Sequence, residues 1–176
     1  MENITIQQVR PDHWPQIYQI IQDAFSEDPH SDNTEHLLVK RLVNSSAFIP
    51  ELCLEAVMDD QPVGFVLVTR AYLASNGKPP FPILSLAPVC VDRQHQRKGL
   101  GIDLIEAAHE SAKRLRENFI VLIGHDTYYP RFGYERAIDY QIQFPFDIPE
   151  QYCMVKKLGQ ETPPPGMVTY PEAFYG

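Results

Sequence analysis

A short segment of this sequence brings two glycines together with two basic residues and a glutamine. It reads Gln96-Arg97-Lys98-Gly99-Leu100-Gly101. The free N–H groups at the start of a helix, together with the helix dipole, favour an anion. Glycine has no side chain, so Gly99 and Gly101 allow a phosphate to approach the main chain closely. The segment therefore predicts a phosphate-binding turn between a strand and a helix.

Two familiar phosphate-binding motifs do not fit these residues. A nucleoside triphosphate loop requires GxxxxGK followed by serine or threonine, and the segment does not contain that pattern. The dinucleotide motif GxGxxG requires a third glycine, and Leu104 stands at that position. A nucleotide-binding protein is therefore the weaker interpretation.

The surrounding pattern indicates which elements position the turn. Residues 83–91 form an apolar run interrupted by Pro88, and residues 119–123 are typical of a short strand buried on both faces. Between them, residues 100–118 carry apolar side chains along one face of an amphipathic helix. Because proline cannot donate to a sheet ladder, Pro88 predicts an edge, a bulge or a place where two strands part.

The rest of the chain predicts a mixed sheet flanked by helices. The first residues form a strand followed by two helices, and the order over the whole chain is β-α-α-β-β-β-α-β-α-β. This order is typical of an α/β protein in which a right-handed helical crossover joins two parallel strands. The predicted elements away from the turn are a strand at 5–9, a hairpin at 53–69, a helical segment at 127–132 and a strand at 134–140.

Length and composition indicate one globular domain. The chain has 176 residues, of which 44% are apolar and 22% charged, as in an ordinary soluble protein. We expect a single domain over residues 1–176, with its core at 4–144. Residues 149–176 are rich in proline and are expected to form a C-terminal extension packed on that core.

Charge, hydropathy and the spacing of cysteine and histidine exclude several classes of function. A net charge of −8 argues against nucleic acid, because phosphate binding needs a dense basic surface, although the charge is compatible with a cationic substrate. No apolar run is long enough to span a membrane. Cys53, Cys90 and Cys153 form no CxxC pair, and an odd number of cysteines without a signal peptide predicts reduced thiols in a cytoplasmic protein. His109 has no second ligand at helical spacing, so no metal is expected.

The glycine segment resembles motif A of the GNAT superfamily of N-acyltransferases, in which [Q/R]xxGx[G/A] wraps the pyrophosphate of acetyl-CoA. Residues 96–101 match every fixed position. Residues 128–134 resemble motif B, in which a tyrosine stands four residues before the glycine of a GF or GY pair. By that count the tyrosine is Tyr129 and the glycine is Gly133.

The resemblance extends beyond these two motifs. The order of strands and helices is similar to that of the superfamily from Ile4 to about Phe144. Residues 124–134, together with the closing segment 170–174, resemble the YhbS-like branch of predicted bacterial acetyltransferases.

The resemblance implies a GNAT acyl-CoA N-acyltransferase fold, with a central splayed mixed sheet flanked by helices. It also implies an enzyme that transfers an acetyl group from acetyl-CoA to a primary amine. The strand at 83–91 would carry a bulge and part from the strand at 119–123, and the pantetheine arm would lie in that opening. Tyr129 would act as the general acid for the leaving thiolate. The implied cofactor-binding residues are Val89, Cys90, Val91, Gln96, Arg97, Lys98, Gly99, Leu100 and Gly101.

The general base and the acceptor are left open. Many relatives place a carboxylate on the strand before the turn, but residues 85–89 contain none. Glu55, His125 and Asp126 are candidates, acting through water, and bulk water itself is another. The acceptor is a small-molecule or a protein amine, and a homodimer is one possible assembly. The alternative function is a catalytically weak acyl-CoA-binding sensor or scaffold, although the motif B tyrosine favours an enzyme.

Overall fold

The computed structural model describes residues 3–176, and over these residues it has three α-helices and nine strands. The helices are α1 (Trp14–Phe25), α2 (Glu35–Val43) and α3 (Leu100–Arg114). The strands are β1 (Ile4–Gln8), β2 (Cys53–Met58), β3 (Gln61–Ala74), β4 (Phe81–Val91), β5 (Phe119–Ile123), β6 (Tyr134–Arg136), β7 (Ile142–Gln143), β8 (Cys153–Lys157) and β9 (Gly166–Thr169).

The nine strands of the described chain belong to one mixed sheet. Seven follow the path β1-β2-β3-β4-β5-β8-β6, while β9 pairs with β3 and with β7. The pairs β4–β5 and β7–β9 are parallel, and the others are antiparallel. Since α3 forms the crossover from β4 to β5, the predicted mixed α/β sheet with this unit at its centre is confirmed.

Strands β4 and β5 separate partway along their length. They pair at two positions, Leu84 with Ile120 and Ser85 with Val121. Beyond Ser85, β4 continues beside β3 while the end of β5 stays paired with β8. An opening therefore lies between the second half of β4 and the end of β5, and the expected splay of the sheet is confirmed.

Strand β4 also carries the bulge that Pro88 predicts. Val89 pairs with Val66 of β3, but Leu86 pairs with Val68, so two residues of β4 stand opposite one residue of β3. An extra residue of this kind changes the phase of side-chain alternation along a strand. As a result, Leu86 before the bulge and Val89 after it both pack in the apolar cluster beneath α3.

The opposite face of the sheet is covered by α1, α2 and the C-terminal residues. Ile17 of α1 and Leu42 of α2 pack with Phe65 of β3 in a second buried cluster. Arg41 of α2 donates through Nε to the main-chain oxygen of Ala173 at 2.9 Å. The final turn of the chain is therefore attached to α2 on this face.

The C-terminal segment enters the sheet more deeply than the sequence indicates. Strand β8 pairs with β5 over the full length of both strands and lies between β5 and β6. Strand β9 adds to the edge of β3 beyond the end of β2. The first part of the expected extension at 149–176 is thus a strand of the central sheet.

Candidate active site

The turn before α3 is held in shape by its own side chains. Asp92 Oδ2 and His95 Nδ1 lie 2.7 Å apart. Gln96 donates through Nε2 to the main-chain oxygen of Val91 at 3.1 Å, which closes the turn onto the end of β4. These bonds are internal to the turn and the end of β4, and such preorganisation lowers the entropic cost of binding a ligand.

Two residues with positive φ bring the chain into the first turn of α3. Gly99 is the N-cap at φ 84°, and Arg97 has φ 63°. A non-glycine residue in this region costs roughly 1–2 kcal/mol, and such strain often marks a ligand site. Arg97 and Lys98 are exposed, whereas the side chain of Leu100 is buried in the core. Leu100 therefore presents only its main chain to the turn.

The main-chain groups of Val89 and Val91 point toward the opening. The N–H of Asp92 donates to the main-chain oxygen of Val63 at 2.8 Å. Val91 and its partner Gly64 are therefore a non-hydrogen-bonded pair of the antiparallel ladder, and the N–H and C=O of Val91 face away from β3. Because the pairing alternates, Cys90 directs its N–H and C=O to β3, and its side chain is buried on the α1 side. The structure thus brings Val89 and Val91 to the opening and turns Cys90 away from it.

Tyr129 begins a short 3-10 turn just after β5. Its ring lies on the main chain of Gly124, where an added Cβ would be 2.3 Å from Tyr129 Cε2. Burial, with a smaller contribution from Tyr128, raises the pKa of Tyr129 to about 12, so the phenol is protonated at neutral pH. Within residues 3–176 its hydroxyl has no hydrogen-bond partner, which leaves it available to a ligand.

Gly124 is a further residue of the candidate site, and it belongs to neither of the two sequence motifs. Any side chain at this position would displace the ring of Tyr129. The available signal was a glycine placed directly after a short apolar strand, which often indicates a close approach of another group.

A buried hydrogen bond supports Tyr129 from behind. Tyr134 meets the ring of Tyr129 edge-on, with centroids 5.8 Å apart. Its hydroxyl lies 2.8 Å from His109 Nε2, and both side chains are buried. Burial, aided by Lys156 and Lys113, lowers the pKa of His109 to about 3, so this bond joins a neutral imidazole to the phenol hydroxyl. His109, which the sequence placed on an ordinary helix, therefore fixes the wall behind Tyr129.

The lowered pKa of His109 predicts a loss of stability in acid. The unfolded chain binds a proton at this residue near pH 6.5, whereas the folded chain does so only near pH 3. Between these values the unfolded state binds more protons, so the free energy of unfolding falls as the pH falls, by up to about 1.4 kcal/mol per pH unit. Urea denaturation between about pH 4.5 and 7.5 measures the slope.

A matched pair of variants isolates the contribution of His109. His109→Gln lacks the titrating group and should show a shallower loss of stability in acid. His125→Gln changes an exposed histidine and should follow the native protein. Parallel curves for the native protein and His109→Gln would contradict the assignment.

The carboxylate of Glu55 is hydrogen-bonded to other residues of the fold. Its carboxylate is fully buried and lies 2.9 Å from Nδ1 of His13, and it accepts a hydrogen bond of 2.9 Å from Gln7. These contacts tie β2 to β1 and to the residues just before α1, which is a structural role. The other two candidate bases, His125 and Asp126, are exposed after β5.

Residues 3–176 contain neither a metal-binding cluster nor a membrane-spanning helix. In the part of the chain that the structure describes, no group of three or more histidine, cysteine, aspartate or glutamate side chains is placed to hold a metal ion. None of the helices between residues 3 and 176 has the length and apolar character needed to cross a membrane.

Comparison with solved structures identifies similar folds. The chain is similar to the GNAT family N-acetyltransferase YhbS from Escherichia coli in complex with CoA, with a TM-score of 0.85 at 22% identity over 100% of this chain and 94% of that one. It is also similar to a GNAT family acetyltransferase from Brucella melitensis in complex with acetyl-CoA. That match has a TM-score of 0.77 at 26% identity and covers 99% of both chains.

Comparison of sequences leads to the family. The chain is 34% identical over 117 residues to the uncharacterized N-acetyltransferase YjhQ of Escherichia coli K12, a match that spans 65% of this chain and 64% of YjhQ. The family model for the acetyltransferase (GNAT) domain matches residues 5–137, which is more than half of the chain. With the splayed sheet and the glycine turn in place, this match shows that the chain belongs to the GNAT acetyltransferase family.

Proposed function

We propose that this protein transfers an acetyl group from acetyl-CoA to a primary amine. The observation that carries the proposal is the opening between β4 and β5, which has outward-facing main-chain groups at Val89 and Val91 and ends at the turn 96–101. The complexes of the similar proteins with CoA and with acetyl-CoA support the choice of cosubstrate.

The residues around the opening fit the parts of this cosubstrate. The main-chain N–H groups at the start of α3 suit a pyrophosphate, and Arg97 and Lys98 add positive charge beside them. The groups of Val89 and Val91 match the amides of a pantetheine arm. Gln96 contributes by closing the turn through its bond to Val91.

The chemistry follows from the groups at the opening. When bound, acetyl-CoA supplies a thioester that a neutral primary amine attacks directly. An N–H near Val89 would stabilise the negative charge that develops on the carbonyl oxygen. Tyr129, protonated throughout the neutral range, would donate its proton to the departing thiolate, and the nitrogen of the new amide would release its extra proton to water.

Release of CoA with a panel of primary amines tests the proposal. The panel contains small amines and lysine-containing peptides, and free thiol is measured after mixing with acetyl-CoA. We expect at least one amine to raise thiol release above the hydrolysis measured without amine. Mass spectrometry of that amine should show an acetyl group. Release that no amine increases would contradict acetyl transfer.

The acyl-CoA-binding sensor is the second candidate function. The observation in its favour is that Glu55, the buried candidate base, is bound by other residues of the fold. In that case acetyl-CoA would stabilise the protein against unfolding, yet no amine in the panel would be acetylated.

A further inference from the structure

Tyr128 extends to the start of α3. A Cβ added to Gly101 would be 3.6 Å from Tyr128 Oη and 3.9 Å from Cγ2 of Val91. Tyr128 therefore reaches from the segment after β5 to the place where β4 ends and α3 begins. Its ring is half-buried, and the structure of residues 3–176 provides no hydrogen-bond partner for its hydroxyl.

The side chains of the two adjacent tyrosines extend to different parts of the fold. Their rings are perpendicular, with centroids 5.1 Å apart and an interplanar angle of 85°. Tyr129 lies on Gly124 at the end of β5, whereas the hydroxyl of Tyr128 lies beside Gly101. The two rings therefore contact different elements, Tyr129 at the end of β5 and Tyr128 at the start of α3.

Arg131 is stacked on Tyr128 and exposed. Its guanidinium carbon lies 4.5 Å from the centroid of the Tyr128 ring, and its Nε donates to the main-chain oxygen of Tyr128 at 2.9 Å. Among residues 3–176 its two terminal nitrogens have no hydrogen-bond or ion-pair partner. In a chain of net charge −8, this guanidinium is stacked on the ring whose hydroxyl lies beside Gly101, and it provides local positive charge for an anion.

We propose that Tyr128 and Arg131 bind the pyrophosphate of the CoA moiety from the side opposite the turn 96–101. The hydroxyl of Tyr128 donates a hydrogen bond to a phosphate oxygen, and Arg131 supplies a positive charge whose position is fixed by the ring. Both residues are thus further cofactor-binding residues. The inference rests on the proposed function only in its choice of CoA as the ligand.

Titration of three ligands into two variants tests the assignment. CoA and 3′-dephospho-CoA both contain the pyrophosphate, whereas pantetheine lacks it. We expect Tyr128→Phe to raise the Kd of CoA and of 3′-dephospho-CoA by the same factor, about tenfold, because a hydrogen bond to a charged group is lost. Arg131→Gln should raise both several-fold and make binding less sensitive to salt. The affinity for pantetheine should not change.

Two control variants match these changes elsewhere on the surface. Tyr175→Phe removes the hydroxyl of an exposed tyrosine in the C-terminal segment. Arg114→Gln removes an exposed guanidinium whose Nε, like that of Arg131, donates to a main-chain oxygen three to four residues earlier. Both controls should bind all three ligands as the native protein does.

Three results would overturn the assignment. One is an unchanged Kd for both nucleotide ligands in both variants. A second is a loss confined to CoA, which would place the pair at the 3′-phosphate. The third is an equal loss for pantetheine, which would indicate a general disturbance of the opening. If CoA binding shows the expected pattern while no amine is acetylated, acetyl transfer fails and this inference stands.

Discussion

Tyr129→Phe is expected to lower kcat for acetyl transfer by about 10²- to 10⁴-fold while the Kd of acetyl-CoA barely changes. The variant keeps the ring, its contact with Gly124 and its edge-on contact with Tyr134. It removes the one proton that the side chain can offer to the leaving thiolate, and general acid catalysis typically contributes a factor of this size. Steady-state kinetics with the best amine of the panel, together with calorimetric titration of acetyl-CoA, measures both quantities.

Tyr128→Phe is the matched control for this prediction. It removes the same atom from the neighbouring ring, and it should change cofactor affinity far more than kcat. The hydroxyl of Tyr129 has no partner within residues 3–176, so Tyr129→Phe should unfold at nearly the same urea concentration as the native protein. Native turnover by Tyr129→Phe, with kcat lost in Tyr128→Phe instead, would assign the proton to the other ring.

Gly101→Val is expected to abolish the stabilisation of the protein by acetyl-CoA. At a hundredfold excess over its Kd, a ligand raises the free energy of unfolding by about 2.7 kcal/mol. A Cβ at position 101 makes only ordinary contacts with Tyr128 and Val91. Thermal unfolding of the variant without ligand measures whether the two methyl groups beyond this Cβ are accepted as well. The branched side chain would fill the space that the pyrophosphate needs. Thermal unfolding with and without acetyl-CoA measures the shift.

The choice of glycine decides how clear this experiment is. Gly99 has φ 84°, so a β-branched residue there strains the main chain and destabilises the protein even without ligand. Gly159 is exposed, has no atom within 4 Å of an added Cβ, and is a suitable control as Gly159→Val. A ligand-induced shift of native size in Gly101→Val would exclude the turn as the cofactor site.

Much of the fold was predictable from periodicity, and the errors fall on short elements whose bounds depend on distant parts of the sequence. Strand β4, helix α3 and strand β5 have strong local patterns, and the structure has all three. The expected strand at 134–140 is shorter, because β6 ends at Arg136 and a 3-10 turn follows. Strands β8 and β9 were missed, because five- and four-residue strands are defined by partners that lie far away in the sequence.

The roles of single charged and polar residues at the site also depend on distant parts of the sequence. Glu55 and His109 are single residues with no diagnostic spacing, so nothing local indicates what they contact. The fold places Glu55 against His13 and buries His109 against Tyr134. Their roles are set by neighbours from other elements, and burial then determines the pKa of His109.

By itself, the sequence of this protein determined the glycine turn, the strand and helix on either side of it, and the break at Pro88. Each depends on local properties of the chain, namely the conformational freedom of Gly99, the dipole of α3 and the missing N–H of proline. Tertiary structure alone decided that Tyr128 lies at Gly101 and Tyr129 at Gly124. The physical reason is that these directions depend on the separation of β4 from β5, which requires β3 and β8 to hold the two strands from opposite sides.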